Sequence, residues 1–444
     1  MKARLWKCMV VLSIFSALAV TVRLKAQAGP APSGPPKYRV FALGALGGNS
    51  SDGNAINNLG WVLGEANITG NTAVHATLWN NDLGTLGGPD SDIQWPNKND
   101  QGVLAGIAET SDVNPLGEAW SCSAFFLGPT GYDCVGFTWQ NGVMTALPTL
   151  GGYNGFAASI NNRGQVAGWA ENTVHDPTCI TPQVLQFRAA VWEPDGQVRQ
   201  LPPFAGDLDS AATAINDLGE VVGISGACDV AVGATSAKHA LLWTSDGQVV
   251  DMHNLGGHSW NTPMDINNRG EVVGFANAED LPLVNGQPPA VPVPFYWSKE
   301  TVVMRQLPLL PNDVNGVAYG INNWGQAVGA SNDPSGITRA VIWQDGKVTD
   351  LNQQLVAQNS PLFLALAQGI NDRGEITGFA VDSTNGELLA FVAVPAFDSG
   401  SESDADSYSV RANATANVVV PESARKQLQR RWPFALMGRK AAAK

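Results

Sequence analysis

The chain has 444 residues, a formal net charge of −13 and only 15% charged residues, with 48 glycines and 27 prolines. Residues 29–421 carry 38 acidic against 14 basic side chains, a net of −24. This excess excludes nucleic acid as the expected partner, because phosphate binding needs a basic face.

Residues 1–28 read as a secretory signal peptide. A basic start (Lys2, Arg4, Lys7) precedes an apolar stretch from Cys8 to Val22 and a small-x-small exit at Ala26-Gln27-Ala28. The apolar stretch is short for a membrane span, and no later segment is a candidate, so no transmembrane helix is expected in the mature chain.

The region from 38 to 396 is built on a repeat. Asn-x-x-Gly-x-x-x-Gly starts at Asn57, Asn99, Asn161, Asn216, Asn267, Asn322 and Asn371. Each full unit holds four short apolar runs rich in Val, Ile and Trp and bounded by Gly, Asn and Asp, the pattern of strands joined by tight turns. They are a first strand ending Leu-Trp, a second ending Val-x-x-Leu, a third ending Ile-Asn and a fourth of the Val-Val-Gly type. In the Asn-x-x-Gly turn, Gly takes the left-handed position and the Asn side chain can bond backbone amides just ahead. The later Gly lies inside the fourth strand, which suggests close approach of a neighbouring backbone or side chain.

The region opens on Tyr38–Leu43, which aligns with a second strand, and closes on Leu388–Val394, which aligns with a first strand. That makes twenty-eight strands, seven times four, with the two ends completing one unit. The expected fold is therefore an all-β, seven-bladed β-propeller of four-stranded antiparallel blades, its ring closed by pairing of the N- and C-terminal strands. Prolines at Leu147-Pro148, Leu201-Pro202 and Leu307-Pro308 put the second strand on the outer edge. The small residues Ala157-Ala158-Ser159 and Ala211-Ala212-Thr213 put the third strand innermost.

The unit reads His-Ala-(Phe)-Leu-Trp, Asp-Gly-x-Val-x-Asp-Leu, Gly-Gly, then Ile-Asn-x-x-Gly-x-Val-Val-Gly. It resembles the HAF family of extracellular repeat proteins, with the signature at His75-Ala76-Thr77-Leu78-Trp79 and His239-Ala240-Leu241-Leu242-Trp243. Two copies carry Arg188 and Arg339 in place of His. The resemblance implies location and fold, and carries no catalytic residue.

Four cysteines remain after removal of Cys8, and four allow three connectivities. Cys122 and Cys134 share one inserted loop, and Cys179 and Cys228 lie in equivalent fourth-to-first-strand loops of consecutive units. The expected pairs are Cys122–Cys134 and Cys179–Cys228, in keeping with an oxidising compartment. Without Cys-x-x-Cys, a zinc site has no support.

No His-Glu-x-x-His, Gly-x-Ser-x-Gly or P-loop is present, so the residues nominate no catalytic group. The two signature histidines read as structural, bonded between blades. The tryptophans that recur once per unit (Trp79, Trp139, Trp192, Trp243, Trp297, Trp343) read as packing between blades. Residues that break the repeat are better ligand candidates. Trp95, Tyr153, Phe156, His258 and Trp260 precede the innermost strands at one mouth of the channel, where aromatic faces could stack on sugar rings and Asp90, Asp92, Asp207 and Asp209 could accept hydrogen bonds. Local packing is the competing reading. The same acidic loops offer oxygen ligands to calcium, although no EF-hand spacing occurs. Three inserts, near 108–136, 171–187 and 277–294, share one face.

After the repeats, 397–421 reads as an acidic and polar disordered linker. Residues 422–444 form a basic tail suited to cell-envelope association, with a plain solvated tail as the alternative. The expectation is a secreted, extracellular or periplasmic module that binds or scaffolds a glycan or protein without catalysis. The alternative is a secreted hydrolase or lyase acting on a polysaccharide at the channel mouth.

Overall fold

The computed structural model describes residues 36–396 apart from 80, 119–121, 123–124, 127–129, 229–232, 285, 287 and 358–359. The signal segment 1–28, the linker 397–421 and the basic tail 422–444 lie outside the described residues. Among the described residues no helix is long and apolar enough to cross a membrane.

The strands follow the repeat. β1 (Lys37–Ala42) comes first, then β2 (Gly47–Ile56), β3 (Val62–Ile68), β4 (Val74–Leu78) and β5 (Asn81–Asp82). The next four are β6 (Gly87–Asp92), β7 (Leu104–Val113), β8 (Tyr132–Gln140) and β9 (Val143–Ala146). Then come β10 (Gly151–Ile160), β11 (Val166–His175), β12 (Leu185–Trp192), β13 (Val198–Gln200), β14 (Asp209–Ile215), β15 (Val221–Gly226), β16 (His239–Trp243) and β17 (Val249–Asp251). They continue as β18 (Thr262–Ile266), β19 (Glu271–Asn277), β20 (Pro292–Ser298), β21 (Arg305–Gln306), β22 (Asn315–Ile321), β23 (Ala327–Asn332), β24 (Thr338–Gln344) and β25 (Lys347–Asp350). A 3-10 turn over Leu351–Gln354 leads to β26 (Leu362–Ile370), β27 (Ile376–Asp382) and β28 (Leu388–Ala396).

Five groups, β6–β9, β10–β13, β14–β17, β18–β21 and β22–β25, are separate four-stranded antiparallel sheets with their strands in chain order. The other eight strands form two antiparallel groups, β2–β5 and β26-β27-β28-β1, touching through one parallel bridge, Ser50 to Leu388. The first strand of the chain pairs along its whole length with the last, from Lys37↔Ala396 to Ala42↔Phe391. The proline-ended second strands lie at one edge of each sheet, as their missing N–H groups require.

Neighbouring sheets are fastened at the Asn-x-x-Gly turns. In each copy the buried Asn uses its Oδ1 to accept the amides two and four residues ahead, Leu59 and Trp61 in the first copy and Arg373 and Glu375 in the last. Its Nδ2 donates to the main-chain oxygen of the next copy's Asn at 2.8–3.0 Å, from Asn57 to Asn99, then Asn161, Asn216, Asn267, Asn322 and Asn371. Asn371 donates to the oxygen of Asn57. The following residue repeats the pattern at 2.7–2.9 Å, its amide donating to the next copy's Oδ1, through Asn58, Asp100, Asn162, Asp217, Asn268, Asn323 and Asp372. Asp372 donates to Asn58.

The second Gly of the motif answers a bulge. Six of the seven strands before it carry an extra residue at this point, such as Ala158 in β10 and Thr213 in β14. The bulge drives a carbonyl at the facing strand, so a Cβ on Gly168 would overlap the oxygen of Phe156 and one on Gly378 that of Leu366. Backbone approach is the reason for glycine there.

The tryptophans bind sheet to sheet. Trp192, Trp243 and Trp343 donate their indole N–H to Pro148, Pro202 and Pro308 on the preceding sheet at 2.7–2.8 Å. The recurring Leu-Pro and Leu-Trp signals are thus two halves of one contact.

Replacing Asn216 with Ala should leave the Asn267 carbonyl and two turn amides without their partner and cost about 3 kcal/mol in urea unfolding, while Asn385→Ala at an exposed loop should cost less than about 0.5 kcal/mol. Equal losses in the two variants would show that the turn bonds carry no stability.

Candidate binding site on the face of the long connections

The connections from fourth to first strands and from second to third strands share one face. Both expected disulfides form there, Cys122–Cys134 within one connection and Cys179–Cys228 between two consecutive ones. The residues beside the second bridge, Thr178 and Ala227, line a cleft of about 410 Å³ together with Asp207, Lys238, His258 and Pro288. The disulfide thereby fixes the spacing of two cleft walls.

Of the residues nominated from sequence, Asp207 and His258 meet at this cleft. Asp207 accepts from Ser225 at 2.7 Å and from Nδ1 of His239 at 2.6 Å, and the His239 ring stacks on Phe204 at 4.1 Å. The exposed His258 bonds Asp280 through both its amide and its ring. The two signature histidines stay with their own sheets rather than bridging neighbours: His239 bonds the connection leading into its sheet, and His75 bonds Asp82 on β5. Arg339 fills the same role as His239 in its copy, pairing with the buried Asp313.

The aromatic residues expected to face a ligand are mostly core. Trp95, Phe156 and Trp260 are buried. Trp95 packs on Phe156 and Trp169, and Phe156 stacks on Trp169 at 4.3 Å. The Trp260 indole donates to Pro288. Only Tyr153 is exposed, its amide held by Glu171. These side chains join Met264, Val317, Tyr319 and Leu366 from the third strands in one buried cluster. The small residues of those strands leave room that loop aromatics fill.

The nominated acids are likewise engaged or enclosed. Asp90 accepts the Val74 amide and Asp209 the Phe187 amide, each reaching the first strand of the preceding sheet. Ser91 and Ser210 make the matching bonds to Ala76 and Ala189. Asp92 is buried at the end of β6. Burial pushes the Asp209 carboxyl up to about 8 against the pull of the Phe187 amide, and the hydrogen-bonded Asp176 adds to the rise. Glu109 brings a carboxylate within 4.8 Å of the sulfurs of Cys122 and Cys134, but those sulfurs are joined to each other, so this grouping offers no thiolate to a metal.

At the opposite, Asn-turn side lies a pair that sequence reasoning passed over. Six copies place Ile before the ring Asn; the second places Lys98. Its ammonium reaches across to the buried Asp265 at 2.7 Å and to the Ile321 carbonyl at 2.8 Å, beside a small cavity of about 30 Å³ lined by the turn residues. Burial raises the Asp265 carboxyl, opposed by Lys98 and by the Ile321 and Ile266 amides. The signal was legible as one Lys among six Ile, but its meaning depends on an Asp three copies away.

A family described as a protein of unknown function (DUF3466) matches residues 205–419, under half of the chain. No curated protein matches. Among solved structures the chain is similar to oligogalacturonate lyase from Vibrio parahaemolyticus, at TM-score 0.42 and 9% identity over 80% of this chain and 91% of that one. It is similar to TolB from Acinetobacter baumannii at TM-score 0.38 and 10% identity, over 66% of this chain and 63% of that one. Acylaminoacyl peptidase from Pyrococcus horikoshii gives TM-score 0.35 and 10% identity, over 66% of this chain and half of that one.

Removing Lys98 alone should expose the cost of burying Asp265. Lys98→Met is expected to lose about 3 kcal/mol at neutral pH. A carboxyl raised in the folded state favours folding below its unfolded pKa and loses that advantage as pH rises, so the loss should shrink toward pH 4. The double variant Lys98→Ile with Asp265→Ala, which restores ordinary repeat residues, should return to within about 1 kcal/mol of the parent. A double variant no more stable than Lys98→Met would refute this account.

Proposed function

We propose that the chain is a secreted, non-enzymatic binding module of the HAF type, built as a closed seven-bladed β-propeller, that holds an extracellular glycan or protein in the cleft between Thr178, Lys238 and His258. Closure is supported by the two circuits of turn bonds that return from the seventh copy to the first, and by the β1–β28 pairing. On this reading the Ser50–Leu388 bridge is a contact between blades.

The observation that carries the binding reading is where the chemistry lies. The aromatic and acidic residues nearest the third strands are packed into the buried cluster or bonded to backbone amides, whereas the disulfide-braced cleft is open and sets Asp207, Lys238 and His258 among apolar side chains such as Leu208 and Pro288. Two disulfides favour an extracellular or periplasmic setting. Secretion through residues 1–28 and envelope attachment through 422–444 belong to the same proposal.

The hydrolase or lyase alternative draws on one feature. Asp209 stays protonated at neutral pH beside Asp176, behind the cleft wall at Leu208 and Thr178. A hydrogen-bonded carboxyl pair is closer than the roughly 5–9.5 Å that glycosidase carboxylates need, and both groups are buried. The pair therefore supports binding better than turnover.

A glycan array and a set of purified envelope proteins, probed with the mature chain, test the proposal. We expect one ligand class to be retained, with retention falling at least about tenfold in Lys238→Ala/His258→Ala. Retention unchanged in that variant would remove the cleft from the reading, and product formation abolished by Asp209→Asn would favour the enzyme.

A further inference from the structure

We propose that the chain binds a calcium ion between the long β7–β8 connection and the β11–β12 connection, through Glu118, Gln183 and Asp133. This goes beyond the cleft and stands independently of its ligand.

The two connections belong to neighbouring sheets and meet at residues 183–185. Glu118, fully buried, accepts the amides of Val184 at 2.8 Å and Leu185 at 2.5 Å with one carboxylate oxygen. Its other oxygen, Oε2, has no hydrogen-bond partner. Gln183, also buried, donates its amide nitrogen to Glu171 at 3.0 Å and to the Leu185 carbonyl at 2.6 Å. Both partners are acceptors, so the amide can face only one way, and its Oε1 has no donor. Asp133, half-buried at the start of β8, likewise has an oxygen without a partner. Glu171, in contrast, is fully used, receiving the Tyr153 and Asn154 amides and the side chains of Asn154 and Gln183.

Two buried acceptor oxygens without donors, on Glu118 and Gln183, thus stand where two connections meet, and the Asp133 carboxylate is near enough to act on Glu118. Each such oxygen costs stability if nothing satisfies it. Like charge adds to the cost. Burial first, then Glu171, pushes Glu118 up to about 7 against the pull of the two amides, with a further push from Asp133. Burial pushes Asp133 up to about 6, opposed by Asn114 and reinforced by Asp112 and Glu171. None of Glu118, Asp133 and Glu171 is in an ion pair among the described residues.

A hard dication removes the desolvation and the repulsion together. The donor set is oxygen only: two carboxylates and an amide, with water completing the shell. Sulfur is excluded because all four cysteines near this face are in disulfides. An irregular oxygen set suits calcium better than magnesium, which demands near-octahedral geometry, or zinc, which prefers nitrogen and sulfur. A site assembled from two loops, with few charged ligands, suits the weak, millimolar range of extracellular calcium modules. Its structural effect would be to lock the β7–β8 connection onto the neighbouring sheet.

The test uses the full mature chain, stripped with EDTA. Thermal unfolding in millimolar calcium should give a saturable rise of several degrees in the midpoint, with a much smaller rise in magnesium. Terbium should bind at one equivalent and be displaced by calcium. Glu118→Gln keeps the bonds to Val184 and Leu185 but removes the charge, and should weaken calcium binding at least about tenfold. If that variant does not fold, Asp133→Asn at the partly exposed position decides in its place. A parent midpoint equal in calcium, magnesium and EDTA would overturn the proposal, as would a calcium response unchanged in the folded variant.

Discussion

The structure depends on one side chain that must do four things at once. The turn Asn accepts two amides of its own turn and donates to the next copy's carbonyl; in five copies it also donates to a Gln or Glu four residues ahead, as Asn216 does to Glu220. Asp lacks the donors. Gln places the same atoms one methylene too far to close the turn. Ser has only one donor. The carboxamide is fully used and fully buried, which is the condition under which a polar group specifies a structure rather than weakening it. The residue after it adds a second circuit, which needs only an acceptor oxygen, and each Asp there stands between two Asn and accepts from a neighbouring Asn amide. The strictness of the sequence at each position follows the number of bonds the position must make.

The rest of the repeat serves the same junctions from other heights. Farther out, indole N–H groups reach the prolines of the preceding sheet, where an edge strand has carbonyls to spare. Toward the long connections, Asp90, Asn154 and Asp209 take first-strand amides of the preceding sheet. Gly-Gly belongs to this layer: a Cβ on Gly152 would overlap the Cβ of Glu171, whose carboxylate caps the Asn154 amide. The junctions are therefore polar at both ends and aromatic between. Because the polar bonds recur with the repeat, variation has collected where they do not reach, in the inserts, the disulfides and the cleft.

Periodic features were legible and aperiodic ones were not. Strand identity, the edge position of the proline-ended strands and the backbone contact at the motif's second Gly follow from local chemistry repeated along the chain, and the cysteine pairs follow from where the inserts fall on that repeat. Trp95, Phe156 and Trp260 were misleading because they stand in connections, where aromatic residues ordinarily face solvent or ligand. Whether they do depends on what the third strands leave unfilled, and Ala158 and Ala211 leave room in that cluster. The acids misled for a related reason. A carboxylate in a loop looks like a free acceptor until the neighbouring sheet supplies an amide. Lys98 and Asp265, and likewise Glu118 and Gln183, are pairs whose partners lie on different sheets, a distance that spacing along the chain does not encode.

Charge narrows what the cleft can hold. Residues 29–421 carry a net of −24. Lys238 offsets it only locally, and the His258 ring is held by Asp280. Long-range repulsion would slow the approach of a polyanion, and the Asp207 carboxylate in the cleft lining adds to it near contact. On the proposed binding reading, the charge disfavours a uronate polymer or an anionic lipid surface at this face. A neutral glycan, which asks only for hydrogen bonds from groups such as Thr178 and Lys238, or a protein presenting basic side chains, meets the same surface without that penalty. The proposed calcium ion would act in the same direction, by lowering the local charge.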